Sequence, residues 1–65
     1  MTKYHVSQIQ NGITITYGDF NVNSPKEAIK MACGVAKEKY PQYSRKIPFK
    51  VKEYGKNTEE VKYHE

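Results

Sequence analysis

The sequence predicts a small α+β domain in ββαβ order, with one helix packed on one face of an antiparallel or mixed sheet and a fourth strand added if the tail pairs. Three observations carry that prediction. Asn11-Gly12 sits between two alternating runs, Ser24-Pro25-Lys26-Glu27 opens a stretch of helical periodicity, and Ile47 to Tyr54 alternates again. All of it fits one domain, residues 1–65, divided into a hairpin over 3–22, a helix over 25–40, a strand over 47–54 and a tail or fourth strand over 59–64.

The hairpin is the strongest local feature. Asn-Gly is the preferred centre of a type I′ turn because both central residues need positive φ, and the run Ile13-Thr14-Ile15-Thr16-Tyr17 that follows is β-branched and strictly alternating. A two-residue turn sets Gln8 opposite Ile15, Val6 opposite Tyr17 and Tyr4 opposite Asp19. Tyr4, Val6, Ile13, Ile15 and Tyr17 then share one face, while Lys3, His5, Ser7, Ile9, Thr14 and Thr16 share the other. Beyond Tyr17 the apolar positions change parity to Phe20 and Val22, so keeping them on the same face requires an irregularity, placed at Gly18-Asp19.

For the helix, Ser24 is the N-cap, Pro25 the first helical residue, and Glu27 stands three residues after the cap to close a capping box. At about 100° per residue, Ile29, Ala32, Cys33, Ala36 and Tyr40 form the stripe expected to face the sheet. Ala28, Met31 and Val35 form a second apolar flank beside it. Pro41 ends the helix, since the residue before proline is driven out of helical conformation.

Residues 42–46 read as a polar, basic loop. In the strand that follows, Ile47, Phe49 and Val51 point inward, and Pro48 is compatible with a strand start or an edge. Gly55-Lys56-Asn57 can reverse the chain so that Val61 and Tyr63 alternate in a fourth strand. The competing reading is a short helix capped by Asn57 with Glu60 at its third position; the strand is preferred.

Composition bounds the function. The 65 residues are 37% hydrophobic and 28% charged, with a mean hydropathy of −0.88, which excludes a membrane-spanning helix and disorder alike. A chain this short buries only about 60% of its surface on folding, leaving little interior in which to dry a catalytic pocket. The excess of 11 Lys+Arg over 7 Asp+Glu gives a net charge of +4 and favours nucleic acid or an acidic protein as partner. A single cysteine, Cys33, excludes an intrachain disulfide and, with no targeting segment in view, suggests an intracellular, cytoplasmic setting.

No constellation for catalysis, metal or cofactor is visible. Cys33 lies in the apolar stripe of the helix, where a thiol behaves as a small hydrophobe. His5 and His64 lack any ligand spacing, and the carboxylates are scattered. Gly12, Gly18, Gly34 and Gly55 are isolated, and none opens the helix to cradle a phosphate. A non-catalytic binding module is the expectation. Its leading surface is a basic patch in which Arg45, Lys46, Lys50 and Lys52 contact phosphates while Tyr54 or Tyr43 stacks on a base. The alternative is a protein-binding regulator or inhibitor, monomeric or homodimeric, that docks through Ala28, Met31 and Val35 or through a sheet edge.

Overall fold

The computed structural model describes residues 2–56 and 58–61. It has one helix packed against a four-stranded antiparallel sheet. The elements are β1 (Thr2–Gln10), β2 (Ile13–Val22), α1 (Pro25–Lys39), β3 (Phe49–Glu53) and β4 (Thr58–Val61). They are arranged β2-β1-β3-β4 in the sheet, so β1 and β3 are interior and β2 and β4 form the edges. The tail is therefore a strand up to Val61, and Tyr63 and His64 lie outside the described residues. β3 is shorter than the alternation suggested. Pro48 stands just ahead of it, where its missing N–H takes nothing from the ladder.

Asn11 and Gly12 both adopt positive φ, 52° and 77°, as the type I′ turn requires. The pairing runs as expected from Gln10↔Ile13 to Ser7↔Thr16 and then slips by one residue, with Val6 opposite Gly18 and Tyr4 opposite Phe20. The irregularity is thus a bulge centred on Tyr17, one step earlier than Gly18-Asp19, and the expected pairs Val6–Tyr17 and Tyr4–Asp19 do not form. The reason is packing. Tyr17 must keep its ring on the helix side, where it meets Tyr40 edge-on at 5.9 Å and Phe49 at 5.6 Å. Gly18, at φ 127°, supplies a backbone conformation that side-chain-bearing residues rarely adopt. Phe20 and Val22 then return to the helix side, half-buried against the core.

Helix α1 begins at its expected cap. Ser24 is extended, and its Oγ accepts the Glu27 N–H at 3.4 Å. The Glu27 carboxylate reaches back to the N–H of Asn23, at 2.8 Å, one residue before the position a capping box would give. The helix ends at Lys39, with Tyr40 as C-cap donating its N–H to Ala36 O. Ala28, Ala32 and Ala36 fall on consecutive turns and are fully buried with Ile29 and Cys33, so the helix approaches the sheet closely on small side chains. Phe49 and Val51 fill the space beneath it.

The covered face of the sheet also buries two amides. Gln8 and Gln10 continue the inward alternation of Tyr4 and Val6, and both are buried. Gln8 Nε2 donates to the carbonyls of Ser44 (3.0 Å) and Ile47 (2.8 Å). Its Oε1 accepts from Tyr17 OH (2.6 Å) and Gln10 Nε2 (2.8 Å). Both of its donors and both of its lone pairs are thereby used. Gln10 Nε2 also donates to Ser44 O, and Gln10 Oε1 accepts from Ser44 N–H. The loop over residues 40–48 is held on the sheet by this network rather than by backbone pairing. Gln10 takes the covered position at the hairpin end, which leaves Ile13, expected inward, 54% exposed.

Candidate nucleic-acid interface

Helix and loop occupy one side of the sheet, and the other side is open. Alternation along β1 sends Lys3, His5, Ser7 and Ile9 to the open side. The register then assigns their neighbours. Lys52 stands beside His5, and Lys50 lies between Ser7 and Glu60. On the opposite flank of β1, Asp19 stands beside His5. A single row, Asp19–His5–Lys52–Thr58, crosses all four strands.

The Tyr17 bulge is what brings Asp19 there. Without the extra residue Asp19 would face Tyr4; with it, Asp19 Oδ1 lies 2.7 Å from His5 Nδ1. A carboxylate only accepts, so His5 Nδ1 carries the proton, and in the neutral ring Nε2 is left as an acceptor. Tyr54 follows β3 and lays its ring back across β1. Its N–H bonds to Lys3 O, its hydroxyl donates to Asp19 Oδ2 at 2.8 Å, and the Lys3 ammonium stands 5.4 Å from the ring centroid. The hydrogen bond from His5, reinforced by that from Tyr54, holds the Asp19 carboxyl below its ordinary range. The same bond from the other end, donated to an anion, pushes the Tyr54 phenol up. His5, Lys52, Tyr54 and Gly55 line a shallow open cleft. It presents an aromatic ring beside an ammonium group and an imidazole edge.

The structure divides the predicted patch. Lys50, Lys52 and Tyr54 share the open face. Tyr43 does not join them: it packs on Tyr40, ring centroids 6.1 Å apart, against the helix-side core. Arg45 is on that side too, close enough for its charge to act on the buried Tyr17 phenol. Lys46 is exposed in the loop. The sheet itself separates Tyr43 and Arg45 from Lys50 and Lys52, so one ligand segment lying flat on the open face cannot meet all six residues. The apolar flank of the helix is reduced as well. Ala28 is fully buried and Val35 packs on the core, leaving Met31, 49% exposed, beside Val22 in a groove bordered by Glu27 and Lys30.

Asp19 is the residue that sequence reasoning missed. It reads as a turn carboxylate, and its partnership with His5 spans 14 positions and depends on where the bulge falls. Among the described residues no three His, Cys, Asp or Glu side chains converge as a metal site would need, and no helix is long and apolar enough to cross a membrane. Compared with protein-family models, curated proteins and solved structures, the chain matches none.

Proposed function

We propose that this chain is a non-catalytic binding module that takes single-stranded nucleic acid on the open face of its sheet. The observation that carries the reading is the juxtaposition produced by the β1–β3 register: Lys52 beside His5, with the Tyr54 ring laid across Lys3 at the end of the same face. Lys3, Lys50 and Lys52 contact phosphates, and Tyr54 offers a stacking surface. Asp19 and Glu60 share this face and offset part of its charge, which keeps the affinity modest, while three phosphate contacts give a slope of log affinity against log salt of about −2. Arg45 and Lys46 add long-range attraction from the other layer rather than direct contacts. The buried thiol of Cys33, which forms no disulfide, is consistent with a reducing, cytoplasmic setting.

The test is fluorescence anisotropy with labelled single-stranded DNA and RNA over a salt series. Lys50→Gln and Lys52→Gln each flatten the slope of log affinity against log salt by about one contact's worth, across all sequences alike. Tyr54→Ala weakens binding by about tenfold, as loss of a stacking partner does. If the protein binds no strand even at low salt, or if the double lysine variant binds as well as wild type, this reading fails. Capture of an acidic protein through Met31 then becomes the reading to pursue.

A further inference from the structure

The two edges of the sheet are protected to different degrees. β4 is only four residues long and carries the exposed charge of Glu60, the kind of charge that keeps foreign strands away. β2 is ten residues long. Its second half is guarded by the Tyr17 bulge and by Asp19, but from Gly12 to Gly18 it has neither charge nor proline. Among the described residues, β1 is the only strand paired with it.

Turn geometry determines which backbone groups this edge offers. In a two-residue type I′ hairpin the flanking pair, here Gln10 and Ile13, exchanges both hydrogen bonds. Alternation makes Gln8–Ile15 the next bonded pair. The N–H and C=O groups of Thr14 and Thr16 therefore point away from β1, and both residues are exposed.

The segment Gly12-Ile13-Thr14-Ile15-Thr16-Tyr17-Gly18 also reads nearly the same in both directions. A two-fold axis through Ile15 would set Thr14 against Thr16 of a second copy, Ile15 against Ile15, Ile13 against Tyr17 and Gly12 against Gly18. The outward-facing groups of Thr14 and Thr16 would meet as bonded pairs. Ile15, whose own groups bond to β1, would form the closer non-bonded pair. Threonine would lie on threonine on the open face, and apolar side chains on apolar ones on the helix face, covering Ile13. Two molecules each of net charge +4 would meet where neither carries charge.

We propose that a second copy of this chain pairs antiparallel along β2, joining two four-stranded sheets into one continuous sheet with both helices on one side and both open faces on the other. Self-pairing in this form is isologous and closes at two chains.

The experiment needs no nucleic acid. Light scattering across a concentration series reports a species of twice the 7.6 kDa chain mass, and amide hydrogen exchange on the same samples shows Thr14 and Thr16 slowing as concentration rises. Thr14→Pro removes an edge donor without taking a bond from β1 and raises the dissociation constant about tenfold or more. Thr14→Lys does the same by charge, and serves if the proline variant unfolds. Glu60→Lys, on the other edge, leaves association unchanged. The proposal is overturned by a monomer at every concentration. It is equally overturned by a dimer that leaves the Thr14 and Thr16 amides unprotected, or by one that survives both Thr14 substitutions in folded protein. None of these outcomes bears on strand binding by the monomer.

Discussion

Two polar networks lie on opposite faces of the same sheet, and they differ chiefly in access to water. On the covered face Gln8 joins Tyr17, Gln10 and the carbonyls of Ser44 and Ile47. On the open face Asp19 joins His5 and Tyr54. Each ends in a tyrosine hydroxyl whose proton is held more firmly than usual, but the leading causes differ: burial for Tyr17, an anionic acceptor for Tyr54. In the first network the bonds among Gln8, Gln10 and Tyr17 are buried, so water cannot readily replace them. In the second, water can take over whenever a partner leaves, so the geometry can yield to a ligand at little cost to the fold. One network secures the structure, and the other is free to serve a surface.

The sharpest way to break this contrast is Gln8→Ala. It takes the acceptor from the Tyr17 hydroxyl and the side-chain donor from the Ile47 carbonyl, while Ser44 O keeps its bond from Gln10, and it opens a cavity, so unfolding by denaturant should show a loss of about 3 kcal/mol. The loop over 40–48 should lose protection from proteolysis in the same variant. Tyr17→Phe is milder, about 1 kcal/mol, since Gln8 Oε1 keeps the bond from Gln10.

Asp19→Asn should move stability least, and only within a defined pH range. The Asp19 carboxyl sits below its ordinary value of 3.8, so it stabilises the fold at pH above that value and loses the contribution as pH falls through the lowered one. Melting temperatures of wild type and variant should therefore differ at neutral pH and converge in acid. Wild type and variant melting alike at neutral pH would mean that the His5–Asp19 contact does not form. The tyrosines offer a parallel check. Tyr17→Phe and Tyr54→Phe should each remove one phenol that ionises above pH 10.0 in a spectrophotometric titration.

Much of the covered face was legible because its determinants are local. Asn11-Gly12, Ser24-Pro25 and the spacing of alanines along the helix each act within a few residues, and β1, β2 and α1 appear where those signals place them. The bulge was anticipated but misplaced. Its position depends on the Tyr17 ring finding Tyr40 and Phe49, which lie far away in the chain. Gln8 and Gln10 fell at inward positions of an alternating strand, yet their polarity concealed them. Only the later course of residues 44–47 supplies the carbonyls that justify burying them. The candidate site was legible in part for a related reason. Lys50 and Lys52 follow from strand alternation, whereas the side of the sheet on which Tyr43 and Arg45 settle is decided by the docking of a whole loop.

The position of β1 bears on how the chain folds. β1, one of the two interior strands, precedes both its partners in sequence. It can zip with β2 at once through a two-residue turn, but its other side must wait for β3, and the His5–Lys52 pair closes a loop of about 45 residues. An isolated two-stranded hairpin is marginal in water. During synthesis β1 therefore spends the translation of about thirty residues, from the end of β2 at Val22 to β3 at Phe49–Glu53, half-paired, exposing Val6, Gln8 and Tyr4 until helix and loop arrive. Folding of the whole should be limited by that closure, with the hairpin formed early and the β1–β3 seam last.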